Sequence, residues 1–228
     1  MKHAGKAQLA ALRLIFLTLL AGAVVLAVAF LAKIIAAFVL GLFWALVALW
    51  ILFALFTFYF FRDPEPQVPA GSNLVIAPGT GKVDAIDPAS EPQFMGGDCQ
   101  RVSIFLSVFD VHVQRAPVGG QVAHFKYTTG QFLNALRSDS AVHNENLLLG
   151  FEAAEPRGEK VGVRLIAGLI ARRIVPWVAP GDEVKRGERI SLIQFGSRVD
   201  VYLPRRAEIK VKLGDKVVGG ETIVAAFK

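Results

Sequence analysis

The chain has 228 residues, 54% of them apolar, a mean hydropathy of +0.48 and a formal charge of +6. A single cysteine, Cys99, excludes an intramolecular disulfide and fits a structural thiol in a reducing compartment. The positive charge comes without a dense Lys/Arg run or a nucleic-acid motif, which argues against nucleic acid and for an anionic membrane surface.

The apolar excess is concentrated at one end. Between Leu14 and Phe61 the only charged residue is Lys33. A hydrocarbon core takes about 20 apolar residues as helix, so Leu14–Ala32 and Ile34–Phe61 predict two transmembrane helices joined by a tight turn at Lys33. A single long helix is one alternative, because that turn contains neither Gly nor Pro, and a shallow re-entrant hairpin is another. The apolar run resumes directly after Lys33, unlike a cleaved signal peptide with its polar mature start. Lys2, Lys6 and Arg13 before the first span, and Arg62 after the second, put both ends in the cytoplasm by the positive-inside rule. The expected location is therefore the inner membrane, with the remaining domain on its cytoplasmic side.

Residues 62–72 read as a stiff linker, with Pro64, Pro66 and Pro69 ending the helix. Residues 73–228 read as a mainly β domain. Its predicted strands are Asn73–Ala77, Val102–Val108, Gln121–Tyr127, Leu147–Glu152, Lys160–Leu165, Arg189–Gln194, Arg198–Leu203 and Thr222–Phe227. Helical character is expected only over Ala167–Val175 and around Phe132–Leu136. Gly-Asp-x-Val-x-x-Gly-Glu occurs twice, at Gly181–Glu188 and Gly214–Glu221, each time before an apolar run. Gly-Asp supplies a tight turn, and the second Gly permits a positive φ before the next strand. Such paired turns resemble the barrel-sandwich hybrid of lipoyl and biotinyl carrier domains. There is no Met-Lys-Met motif for a swinging arm, so the turns are read as structural.

Gly196-Ser197 lies between two apolar strands, in Phe195-Gly196-Ser197-Arg198. A Gly-Ser turn is common and by itself says little. Its context is specific: Asp110-Val111-His112-Val113-Gln114-Arg115-Ala116-Pro117, Phe60-Phe61-Arg62-Asp63-Pro64, Gly130–Ala135 and Ile166–Val175 stand in the order in which they occur in the phosphatidylserine decarboxylases. The chain is similar to the short form of that family, whose processing site reads Phe-Gly-Ser-Arg.

The resemblance implies a proenzyme that cuts itself between Gly196 and Ser197 and turns Ser197 into a covalent pyruvoyl group. A Schiff base on that group would carry the decarboxylation of phosphatidylserine to phosphatidylethanolamine, with no separately bound cofactor and no metal. The partners implied are the membrane lipid and the two cleaved chains themselves, as a heterodimer. His112 is the candidate general acid/base, since imidazole titrates near neutrality. Asp110, on the same face if the segment is extended, would orient it. The planar fork of Arg115 suits phosphate or carboxylate, with a surface role equally open. One departure stands out: the family usually carries Pro-Ala-Asp-Gly, and here Pro78-Gly79-Thr80-Gly81 puts Thr80 where an aspartate is implicated in processing. Either His112 with Asp110 or Asp84 takes over that step, or maturation is slow. Two other readings compete: a membrane-tethered β scaffold or unprocessed pseudoenzyme, and a decarboxylase of an ether-type serine phospholipid.

Overall fold

Nothing between Lys6 and Phe60 interrupts a helical hydrogen-bond ladder: there is no proline, and Lys33 is flanked by Ala32 and Ile34. In the computed structural model, which describes residues 6–131, 143–168, 173–194 and 196–228, this stretch forms one continuous helix, α1 (Lys6–Phe60). The turn expected at Lys33 is therefore not seen, because one lysine among helix formers breaks no backbone bond. Leu9–Phe60 is long and apolar enough, by length and composition, to cross a membrane, and 0% of its most apolar window is buried, unlike the core helix of a soluble protein.

The chain divides into two units, Met1–Thr57 and Phe58–Lys228. The second holds fourteen strands among the described residues: β1 (Leu74–Ile76), β2 (Gly81–Glu91), β3 (Gly97–Leu106), β4 (Val113–Arg115), β5 (Gly120–Thr128), β6 (Asn146–Ala153) and β7 (Lys160–Ala167), then β8 (Ile174–Pro176), β9 (Glu183–Val184), β10 (Arg189–Ile193), β11 (Ser197–Leu203), β12 (Glu208–Ile209), β13 (Lys216–Val217) and β14 (Ile223–Ala226). The mainly β expectation holds. The helix expected over Ala167–Val175 does not, at its described ends: Ala167 closes β7 and Ile174 opens β8. The one expected around Phe132–Leu136 falls outside the described residues.

All the strands pair antiparallel, in one eight-stranded and two three-stranded sheets. The order of the large sheet, β13-β2-β3-β11-β7-β6-β5-β9, is symmetric about its centre, and the small sheets, β1-β14-β12 and β4-β10-β8, correspond in the same way. The domain is thus an internal repeat. Ile76 N–H bonds to Pro117 O at 3.0 Å and Arg115 N–H to Pro78 O at 2.8 Å, the same contact made in both directions. The two Gly-Asp turns match as well: Asp182 accepts the Ala179 N–H at 2.7 Å and Asp215 the Lys212 N–H at 2.8 Å, with Gly181 and Gly214 both at φ +94°. Each glycine takes a conformation that a Cβ disfavours.

The repeats are not consecutive. One runs straight through β4–β10, and it is inserted into the other, which is split into β1–β3 and β11–β14. Two junctions join them, residues 107–112 and 194–196. Between the halves β11 pairs with both β3 and β7. Strand alternation puts Val199, Val201 and Leu203 in the core with Ile104, Leu106, Val163 and Leu165. Ser197 shares their face.

Candidate active site

His112 ends the first junction and Gly196-Ser197 ends the second, so the crossing of the chain between repeats brings them together. The 107–112 segment is a turn rather than the extended strand expected. Asp110 Oδ2 accepts the Ser107 N–H at 2.8 Å, and Asp110 N–H donates to Ser107 O at 2.9 Å. The carboxylate of Asp110 therefore shapes the turn, and its backbone carbonyl, 2.9 Å from His112 Nδ1, is what orients the imidazole. A carbonyl only accepts, so Nδ1 carries the proton. Nε2 is left as an acceptor and takes the Gly196 N–H at 3.1 Å.

Both bonds define a neutral imidazole whose one basic lone pair is engaged by the Gly196 N–H and so points at the Gly196–Ser197 segment. Burial pushes the His112 pKa below its usual value, with the Asp110 carbonyl and carboxylate opposing and the Arg62 charge adding to the shift. The backbone of His112 is fixed too: its carbonyl accepts from Gln114 Nε2 at 2.7 Å and from the Ile193 N–H at 3.2 Å. Ser191 Oγ holds Gln114 in turn, donating to Oε1 at 2.8 Å. Neither Gln114 nor Ser191 stands out in sequence, since each becomes informative only once β4 and β10 are paired.

Ser197 is fully buried, and among the described residues its Oγ has no hydrogen-bond partner. Burying a hydroxyl unpaired costs about 1–3 kcal/mol, which β11 sustains by its pairing on both sides. Gly196 sits at φ +73°, a backbone strained for any residue with a Cβ. Next along, Arg198 is buried and ion-paired with Asp84. Asp84 sits at an irregularity in β2, and burial raises its pKa, with Arg198 pulling the other way. Thr80 Oγ1 accepts the Gly219 N–H at 2.9 Å and so fastens a turn beside β13.

Arg115 is 3% exposed on β4. Its guanidinium pairs with Asp63 and donates to Pro64 O at 2.9 Å and to Gly187 O at 3.3 Å. The fork that suits a phosphate in sequence is thus occupied by the chain's own linker. Arg115→Ala should lower the unfolding free energy by about 3 kcal/mol, because the Pro64 and Gly187 carbonyls lose their buried charged donor while Asp63 keeps Arg189. Urea titration of the purified protein measures it. Cys99 is buried in β3, and burial raises its pKa, as befits a structural thiol.

A model of the phosphatidylserine decarboxylase family matches residues 53–225, from within α1 to within β14. Phosphatidylserine decarboxylase proenzymes match over most of their own length. That of Symbiobacterium thermophilum is 45% identical over 197 residues, covering 86% of this chain and 91% of the relative. That of Desulfotalea psychrophila is 46% identical over 169 residues, covering 74% and 78%. The Geobacter sulfurreducens protein is 45% identical over 181 residues, covering 79% and 82%.

Proposed function

The chain belongs to the phosphatidylserine decarboxylase family, and we propose that it is a proenzyme that cuts itself between Gly196 and Ser197 and then decarboxylates phosphatidylserine to phosphatidylethanolamine and CO2. The observation that carries this reading is the bond from the Gly196 N–H to His112 Nε2, one residue before a buried Ser197 whose Oγ has no hydrogen-bond partner among the described residues.

His112 takes the Oγ proton as Oγ adds to the Gly196 carbonyl carbon. The C–N bond then breaks, leaving an ester between Gly196 and Ser197 Oγ and a free amine on Ser197. Loss of the Ser197 Cα proton expels the Gly196 carboxylate and leaves a dehydroalanine. Its imine tautomer is hydrolysed by one water, releasing ammonia and leaving a pyruvoyl group at the head of β11. The residues fit this group. Gly196 needs no room for a Cβ at the attacked carbonyl, and β11 is held by β3 and β7 whether or not the bond before it is intact. The pyruvoyl ketone supplies the electron sink that stabilises the carbanion left as CO2 departs. His112 is then placed to hold or return a proton at that atom. Thr80 cannot act as a base near neutrality, and its hydroxyl serves a turn; His112 is the group that remains at the scissile segment.

Intact-mass analysis of the purified full chain tests the proposal. The expected products are residues 1–196 and a fragment of residues 197–228 lighter than its encoded sequence by one ammonia. A single uncleaved chain after prolonged incubation would overturn it.

The domain lies, in this reading, on the cytoplasmic side of the inner membrane. At 1.5 Å per residue the 52 residues of Leu9–Phe60 extend about 80 Å, more than twice a hydrocarbon core of about 30 Å. That length suffices for two crossings with both ends inside, an arrangement that requires α1, continuous in this structure, to open near Lys33 in the membrane. In cells, Lys33→Cys should be labelled by a membrane-impermeant thiol reagent from outside; Cys99 is buried and gives a low background. Labelling only after permeabilisation would count against the two-span arrangement.

A further inference from the structure

Three phenylalanines lie around the end of α1, and only one of them turns inward. Phe58 is 81% exposed and Phe61 39% exposed, whereas Phe60 is fully buried. Its ring lies 4.3 Å from the imidazole of His112, centroid to centroid, at an interplanar angle of 32°. The residues around it fasten the helix end to the same turn. Arg62 donates to Phe109 O at 2.7 Å and to Tyr59 O at 2.8 Å, its guanidinium lies 3.9 Å over the Tyr59 ring, and Tyr59 Oη is 3.3 Å from Phe109 O. All of these belong to the unit that begins at Phe58.

We propose that Phe60, the last residue of the long apolar helix, is a positioning residue for His112, and that the end of the membrane segment is thereby part of the catalytic apparatus. The inference rests on the self-cleavage reading above. The two hydrogen bonds of His112, at Nδ1 and Nε2, both lie in the plane of the ring. They fix an axis through the imidazole but do little against tilting about that axis. A flat aromatic face packed on the imidazole opposes that tilt. It also keeps water from the lone pair that accepts from Gly196. Among the described residues the charged groups bearing on His112 are Asp110, whose carboxylate is engaged by the Ser107 N–H, and Arg62, engaged by two carbonyls. Gln114 and Ile193, which hold the carbonyl of His112, are uncharged.

Two variants separate the effects of the ring. Phe60→Leu keeps an apolar filling but loses the flat face. Phe60→Ala also lets water in. A tilt that misplaces Nε2 should slow self-cleavage by about tenfold in either variant. Only Phe60→Ala should also move the acid limb of the cleavage rate to higher pH, because a hydrated His112 regains affinity for a proton. A merely structural contact would lower the amount of folded protein and leave the limb where it is. The second readout needs no cleavage: in the full chain carrying Ser197→Ala, the His112 ring signal, identified by its loss in His112→Asn, should titrate at higher pH when Phe60→Ala is added and unchanged with Phe60→Leu. Wild-type cleavage rate and profile in both variants, with an unmoved titration, would overturn the proposal. If Phe60→Ala does not fold, wild-type cleavage in Phe60→Leu overturns it. If the parent chain itself fails to cleave, the self-cleavage reading falls, and the titration still decides whether Phe60 governs His112.

Discussion

The full chain carrying Ser197→Ala should stay in one piece, and its turnover of phosphatidylserine vesicles should drop to the uncatalysed level. Without Oγ nothing can add to the Gly196 carbonyl, so neither the chain break nor the ketone that follows from it can form. The substitution should leave the fold intact. The Oγ has no hydrogen-bond partner among the described residues, so no bond is lost with it. Removing a buried, unpaired hydroxyl relieves a cost of about 1–3 kcal/mol. Thermal unfolding of the uncleaved variant should therefore occur no lower than that of the wild-type precursor. The same experiment separates an enzyme from a membrane-tethered scaffold, for which Ser197→Ala would change nothing. Residual cleavage at the same bond would assign the nucleophile elsewhere.

His112→Ala should slow self-cleavage by about 10²–10⁴-fold, the usual contribution of a positioned general base. Time courses on gels measure it directly, and a rate within threefold of wild type would remove His112 from the mechanism. The pH dependence follows from the direction of its shift. Burial disfavours the charged imidazole, so the folded protein keeps Nε2 free below the ordinary histidine range. Cleavage should hold its rate as pH falls through 6.5, the ordinary value for histidine, and decline only below it, with a slope of one proton. Stability moves in the same sense. On acidification the unfolded chain binds a proton at His112 before the folded chain does, so folding free energy falls from about pH 6.5 downward until the folded imidazole also titrates. His112→Ala should flatten that part of the stability curve.

The residues proposed to carry the reaction are the most legible part of this sequence, through the family resemblance. Gly196-Ser197 and His112 sit in short motifs that carry the resemblance to the family, and the two Gly-Asp turns reveal themselves by repetition. What escapes is what depends on distant partners. Arg115 reads as an anion-binding fork until Asp63, 52 residues away, is found to fill it. Asp110 reads as an orienting carboxylate, but only the folded turn shows its carbonyl doing that work. Phe60 is hidden in a run of apolar residues that reads as membrane throughout. β2 goes unrecognised because Asp84, Asp87 and Pro88 look like turn residues. In the sheet Asp87 is bound by Arg101 and Asp84 by Arg198. The internal repeat has a further trace, Ala77-Pro78-x-x-Gly81-x-Val83 against Ala116-Pro117-x-x-Gly120-x-Val122, too short to be persuasive before the strand order is known.

The insertion of one repeat inside the other has a consequence for what a cut at residue 196 does. A nick inside a strand would leave two frayed ends and an open ladder. Here the bond joins an insert to its host, so breaking it returns the host repeat to two complementary halves, β1–β3 and β11–β14. Each half is still laced to the other through β3–β11, β2–β13 and β1–β14. A short chain released by that cut would behave like the missing fragment in a complementation experiment, already annealed before it is released. Its new end cannot drift, because it is the first residue of a strand with neighbours on either side. A reactive group made there is held by the middle of the sheet, although it is formally a chain terminus.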